Sequence, residues 1–295
     1  MNILQAIILG IVQGLTEFIP ISSTAHLIFA TRLTGLSQTL AAEQQTAVIA
    51  VIQLGTLAAV FIYFARDIWN ICYAFVRDHL LLLRGRTPPG IEGGGLLGSR
   101  MSPEAKLGWL IFIGSLPVGV VGLIFKKQIE GTFTKNLWVI ATMMVVVALL
   151  LLLAEKVGTR RRGMEELNLK DALAVGFAQV LALIPGASRS GSTIMGGLFA
   201  GERRETAARF SFLLSIPAIT ASGLLELKEA VHRLPPGSAV PLAVATVISG
   251  LVGYASIWFL LRYLREHSTG VFIGYRLVVG ALILLLLYAG TINPL

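Results

Sequence analysis

Long apolar runs alternate along the chain with short polar clusters, and the length of the runs sets the first expectation. Six of them, residues 46–64, 108–126, 136–155, 210–228, 239–261 and 271–290, reach about the 20 residues that a helix needs to cross a bilayer. Two further stretches, 1–30 and 170–202, are apolar but broken, the first at Pro20 and the second at Pro185-Gly186, and each break is followed by a cluster of hydroxyl residues. Proline with glycine in mid-helix removes backbone hydrogen bonds that lipid cannot replace, so such breaks persist only inside protein or beside a water-filled cavity. The pattern predicts an all-α integral membrane protein with about six transmembrane helices and two re-entrant helical hairpins, in a single polytopic membrane domain over 1–295.

An internal match refines this picture. Gly10, Gln13, Leu15, Pro20 and Ser23 in GIVQGLTEFIPISS pair with Gly176, Gln179, Leu181, Pro185 and Ser188 in GFAQVLALIPGAS, with a slip of about one residue before the proline. The expected units are a repeat over about 1–155 and a second over about 170–290, each a broken hairpin followed by spanning segments. Copies of opposite topology whose broken helices meet near the midplane are the architecture of many secondary transporters.

Composition agrees with a membrane protein, at 55% hydrophobic residues and a mean hydropathy of +0.78. A net charge of +8 would suggest nucleic acid in a soluble chain, but here it reports orientation and contact with anionic head groups. Threading six spans collects Arg66, Arg77, Arg84, Arg86, Arg100, Lys106, Arg160, Arg161, Arg162 and Arg203 among the cations of one face, which the positive-inside rule makes cytoplasmic. Both termini are then outside, and the Pro/Gly-rich insert TPPGIEGGGLLGS falls in a flexible cytoplasmic loop over about 77–106. The N-terminus shows no basic leader region and no cleavage site, so it is not read as a removable signal peptide. The single cysteine, Cys72, excludes an intramolecular disulfide and is expected to be a packing residue.

Few ionisable groups remain at membrane depth: Glu17, Arg189 and Arg276. Such groups are costly in lipid and mark a functional site with a partner. For Glu17 the bland alternative is a structural ion pair with Arg189 or Arg276, and for Arg276, in IGYRLVVG, a structural role weighs at least as much. Arg189 sits in PGASRSGST among Ser188, Ser190, Ser192 and Thr193, where the next helix begins. Helix N-terminal N–H groups, hydroxyls and a guanidinium fork together suit a phosphate, and a serine-rich N-cap alone would need no buried arginine. Facing this cradle, Glu17, Ser23 and His26 supply a carboxylate base or metal ligand, a hydroxyl nucleophile and an imidazole that exchanges protons near neutrality. Gln13 lies one turn before Glu17 and could orient water, phosphate or metal, or simply pack. Spacing leaves Ser23 and His26 both open as the nucleophile, with Ser23 favoured because it matches Ser188 in the repeat.

At these residues the chain resembles the bacterial undecaprenyl-diphosphatase family, the bacitracin-resistance proteins, through GIVQGLTEFIPISSTAHL, VIQLGTLAAV, PGASRSGST and the late IGYR. The resemblance implies hydrolysis of the C55 isoprenoid diphosphate to the monophosphate carrier of cell-wall synthesis, at the bacterial inner (cytoplasmic) membrane with a divalent cation, Mg²⁺ or Ca²⁺. Carried over by motif position, Glu17, Ser23, His26, Ser188, Arg189 and Thr193 would be site residues. The family often has a second glutamate where this chain has Gln13, which weakens a metal role there. The PSGH motif of another family of membrane phosphatases is absent. Expected partners are the isoprenoid lipid diphosphate and membrane lipid, with a homodimer left open and nucleic acid not expected. The rival class is a transporter or flippase of a phosphorylated lipid, which the inverted repeat fits equally well but which does not require the Glu17, Ser23 and His26 trio. A lipid-binding scaffold is the bland third option.

Overall fold

The structure, a computed structural model, describes residues 1–88, 101–125, 136–230 and 237–294. In chain order its helices are α1 (Ile3–Phe18), α2 (Ser23–Leu33), the short α3 (Leu36–Thr39), α4 (Ala42–Tyr63), α5 (Ala65–Leu83) and α6 (Pro103–Ile124). There follow α7 (Leu137–Val157), α8 (Leu169–Val180), α9 (Arg189–Phe199), α10 (Arg204–Ala230), α11 (Ala239–Glu266) and α12 (Gly270–Tyr288). Among the described residues five helices are long and apolar enough to cross a membrane: Glu43–Tyr63, Pro103–Ile124, Leu137–Val157, Ala239–Glu266 and Gly270–Tyr288. The sixth expected span, 210–228, falls within α10, some of whose last side chains lie outside the described set.

Both apolar segments that the sequence marks as broken are broken here. α1 stops at Phe18 and α2 starts at Ser23, with Pro20 between them; α8 ends at Val180, and a single 3-10 turn, Leu181–Leu183, leads to Pro185-Gly186 and then α9. The arms of the two pairs pack reciprocally on long helices from the other half of the chain. A Cβ added at Gly10 of α1 would lie 2.6 Å from the Ala245 carbonyl oxygen of α11, and one at Gly176 of α8 would lie 2.3 Å from the Gly114 carbonyl oxygen of α6. In lipid, where apolar burial between helices is worth little, small residues of this kind let backbones touch. At the centre, Phe18 and Phe64 pack on Phe212 of α10 with ring centroids 5.5 and 6.3 Å apart, which anchors the end of α1 immediately after Glu17.

α5 was not foreseen as a helix, because Arg66, Asp67, Arg77 and Asp78 interrupt its apolar pattern. Asp78 is fully buried there and accepts from the Ser102 N–H at 2.7 Å and the Ser102 hydroxyl at 2.6 Å, so a charged residue of α5 fixes the start of α6. The other face of α5 exposes Trp69, Tyr73, Val76 and Leu80. Cys72 is also exposed, which overturns its expected role as a packing residue: in a helix with one exposed face, a short apolar side chain can fall on either side. The Pro/Gly insert lies almost wholly outside the described residues.

Two carboxylates organise the end of the bundle opposite the breaks. Glu155, near the end of α7, accepts from Arg204 at 2.9 Å and from the N–H and hydroxyl of Thr269 at 2.8 and 2.9 Å, tying together the starts of α10 and α12. Arg162, in the connection between α7 and α8, grips Asp171 of α8 and the Ala200 carbonyl in the turn between α9 and α10, and Glu202 of that turn folds inward beside them. Glu202 is 0% exposed and neither carboxylate oxygen has a hydrogen-bond partner. Burial, reinforced by the Asp171 charge and opposed by Arg162, pushes its carboxyl from 4.5 up to about 8. Between those values the folded chain holds a proton that the unfolded chain releases, so this contribution to stability falls as pH rises from about 4.5 and levels off above about 8. Thermal unfolding in detergent should therefore show Glu202→Gln gaining stability over the parent between pH 5 and 8, on the order of a few kcal/mol by the upper end. Parallel pH profiles for the two proteins would show that Glu202 is not held protonated.

Candidate active site

A helix broken in an apolar surround leaves carbonyls that need donors. Here one side chain serves both breaks. Arg276 of α12 is 0% exposed and donates to the carbonyls of Pro20 at 3.3 Å, Gly186 at 3.0 Å and Ala187 at 3.0 Å, as well as to Met143 and Met144 of α7 at 3.3 and 3.2 Å. Of the two roles left open for this arginine, the contacts are those of the structural one. It binds the two breaks to each other and to α7. The second break needs its glycine: Gly186 has φ +89°, and a Cβ there would lie 2.1 Å from the Ile140 carbonyl oxygen.

Immediately before α2 and α9 stand two serines in the same unusual backbone state, Ser22 with φ +78° and Ser188 with φ +70°. Side chains rarely adopt this region, and the surrounding packing must impose it. The backbone thus makes Ser22 the counterpart of Ser188, and the sequence alignment of Ser23 with Ser188 is off by one. Ser23 corresponds instead to Arg189, the first residue of the following helix in each case.

With the breaks joined, those two residues meet. Glu17, in the last turn of α1, accepts from the Ser23 hydroxyl at 3.0 Å and from Gln13 Nε2 at 3.1 Å, and its other oxygen accepts from an Arg189 nitrogen at 3.1 Å across 172 residues of sequence. The side chains of Glu17 and Arg189 are only 11% and 12% exposed, so solvent screens the pair weakly. Two polar atoms beside it are buried without partners: the second terminal nitrogen of Arg189 and Oε1 of Gln13. A donor and an acceptor left unmet in one site are what a bound ligand would satisfy.

The remaining predicted residues are placed less directly. His26 does not bond to Glu17 or Ser23. Its Nδ1 lies 2.7 Å from the Ser22 carbonyl oxygen and its Nε2 lies 2.6 Å from the Tyr275 hydroxyl, with the two rings stacked at 5.6 Å. Ser188 Oγ accepts from the Gly191 N–H at 3.2 Å as an N-cap, and Ser190 is buried 3.2 Å from it. Ser192 Oγ is buried with no partner. Thr193 is 0% exposed, its hydroxyl lies 2.7 Å from the Arg189 carbonyl oxygen, and it touches Ser211 of α10. Sequence reading passed over Tyr275, although IGYR was in view; an aromatic in an apolar run carries no sign of a partner 249 residues earlier.

Beside His26 a cavity of about 420 Å³ opens between α1 and α2, lined by Ile8, Val12, Phe29, Ala30, Leu33 and Thr34. Apart from His26 and Thr34 its walls are apolar.

Comparison with known proteins identifies the family. The chain is 49% identical over 288 residues to an undecaprenyl-diphosphatase of Syntrophobacter fumaroxidans, covering 98% of each chain. It is 47% identical to proteins of the same name from Chlorobium luteolum, over 100% of both chains, and from Myxococcus xanthus, over 100% of this chain and 92% of the other. The family model described as bacitracin resistance protein BacA matches residues 6–282, a stretch that contains both helix breaks and Arg276. The chain belongs to the bacitracin resistance protein BacA family.

Proposed function

We propose that this protein hydrolyses undecaprenyl diphosphate to undecaprenyl phosphate and inorganic phosphate, the activity for which its relatives are named, and so recycles the lipid carrier of cell-wall synthesis and confers bacitracin resistance. The observation that carries the reading is the Ser23–Glu17–Arg189 chain of hydrogen bonds at the meeting point of the two breaks. A hydroxyl already donating to a carboxylate is an activated nucleophile, and an arginine with one terminal nitrogen unmet can take a phosphate oxygen. The apolar cavity beside His26 suits the isoprenoid tail, with the rest of the chain length in lipid.

In this reading Ser23 Oγ attacks the terminal phosphorus, its proton passes to Glu17, and the bond to the bridging oxygen breaks so that undecaprenyl phosphate leaves. Water then attacks the phosphoserine, releasing inorganic phosphate and restoring the serine. Arg189 stabilises the charge on the non-bridging oxygens. Glu17 would by itself repel the diphosphate, and the donor set fits a shared Mg²⁺ or Ca²⁺: the Glu17 carboxylate and the unmet Gln13 Oε1 would hold it together with the diphosphate's own oxygens. Among the described residues no group of three His, Cys, Asp or Glu side chains would hold a metal without substrate. When bound, such a cation supplies charge neutralisation.

Purified protein in detergent should release inorganic phosphate from undecaprenyl diphosphate; a purely transporting protein would release none. The serine step makes a separate prediction. Rapid quenching with terminally labelled substrate should trap an acid-stable, alkali-labile adduct that is lost in Ser23→Ala. An acid-labile adduct lost only in His26→Ala would assign the nucleophile to histidine.

The same reading places the protein in the inner membrane with both termini outside and the breaks approached from the outer side, supported by the cation bias and by the reciprocal packing of the two halves. It requires lipid and the isoprenoid diphosphate as partners, and neither a homodimer nor nucleic acid. Single cysteines introduced near Arg84 and Arg161, in a Cys72→Ser background because Cys72 is exposed, should be labelled only after the cytoplasmic side is opened. Labelling of either in intact cells would reverse the orientation.

A further inference from the structure

His26 is held at both ring nitrogens, and the two holds differ in kind. The Ser22 carbonyl, 2.7 Å from Nδ1, can only accept, so Nδ1 carries a proton. In the neutral ring Nε2 is then the lone-pair nitrogen, and the Tyr275 hydroxyl, 2.6 Å away, donates to it. Neither hold is adaptable. Ser22 has φ +78°, a backbone state imposed by its surroundings, which aims its carbonyl. Tyr275 precedes Arg276, whose bonds to five carbonyls on three segments fix the register of α12 and with it the position of the phenol. The ring that lines the apolar cavity is therefore locked in one tautomer, with its basic nitrogen covered by a phenol rather than facing Ser23 or Glu17.

We propose that Tyr275 is a positioning residue for His26, holding the imidazole in the Nδ1–H tautomer through the Tyr275 hydroxyl so that proton exchange at Nε2 during phosphate release runs by way of this phenol. The proposal rests on the hydrolytic reading above for its kinetic consequence and on the structure alone for its contact. The phenol passes its proton to Nε2 as its oxygen takes one from the released inorganic phosphate, leaving a neutral phenol and an imidazolium; the reverse shift gives that proton up to water and restores neutral His26, so no other reactant is needed. Phenylalanine at 275 keeps the ring stack and removes only the hydroxyl, which separates orientation of the imidazole from packing of α12 against α2.

The experiment uses full-length protein in detergent, with Tyr275→Phe, His26→Ala and the double variant. Nitrogen-15 NMR of histidine-labelled protein, with the His26 signals identified by their loss in His26→Ala, should show the Nδ1–H tautomer in the parent and a changed Nε2 signal in Tyr275→Phe. Phosphate release from undecaprenyl diphosphate should fall about ten-fold in kcat with KM within about two-fold, less than the 10²–10⁴ typical of losing an acid–base group outright. Tyr275→Phe should add no further loss to His26→Ala, since a residue acting through another has nothing left to act on. Unchanged His26 nitrogens, or the same ten-fold loss in both backgrounds, would overturn the proposal. If the parent releases no phosphate, the hydrolytic reading fails and the nitrogen signals still decide the contact; they also decide it if His26→Ala leaves no measurable turnover.

Discussion

Arg276→Met is expected to abolish the folded protein, not only its activity. Pro20, Gly186 and Ala187 lie outside the helices, and their carbonyls accept from this one buried guanidinium. The Met143 and Met144 carbonyls sit inside α7 and keep their helical bonds without it, so the loss falls on the two breaks. A buried carbonyl left unsatisfied costs about 1–3 kcal/mol, so three of them remove on the order of 5 kcal/mol from a total stability that is usually about 5–15. Lysine has a single nitrogen and cannot reach acceptors on three segments, so Arg276→Lys should be intermediate. Size-exclusion profiles and thermal unfolding in detergent would show this order: a sharp peak for the parent, a lowered midpoint for lysine, and aggregate for methionine. A methionine variant that is monodisperse at the parental midpoint, yet inactive, would move Arg276 from the scaffold to the reacting site.

The reach of sequence reading in this chain follows from what each feature leaves in composition. Pro20 and Pro185-Gly186 stand out in apolar runs because lipid penalises broken helices, and Glu17 and Arg189 stand out because lipid penalises charge; their meeting was legible for that reason. Features built from ordinary residues were not. The left-handed backbone at Ser22 and Ser188 is normally signalled by glycine, and with serine in both places the alignment slipped by one, which removed the repeat as an argument for Ser23. The preference for Ser23 now rests on its bond to Glu17. α5 was hidden by its own charges, of which Asp78 turns inward to Ser102, and the exposed side of Cys72 could not be chosen without knowing which way that helix turns.

Arg189 gives the largest expected change in chemistry, and lysine should be nearly as damaging there as alanine. The guanidinium divides its work: one terminal nitrogen holds Glu17 at 3.1 Å, and the other is buried with no partner. A planar fork can keep the carboxylate in place while its second nitrogen takes a phosphate oxygen, whereas a lysine ammonium is a single point that must serve one or the other. If it stays with Glu17 the phosphate loses its donor, and if it turns to phosphate Glu17 loses the charge that orients it toward Ser23. Either way kcat/KM for phosphate release should fall about 10²–10³-fold, the range found when one preorganised donor to a developing oxyanion is removed. Alanine should fall at least as far and should also lower the unfolding midpoint, because it strands a carboxylate that is only 11% exposed. Comparing the two variants at matched folded fraction separates these effects. Lysine at close to parental kcat/KM would mean that charge alone is needed at this position and that the unmet nitrogen is no phosphate donor.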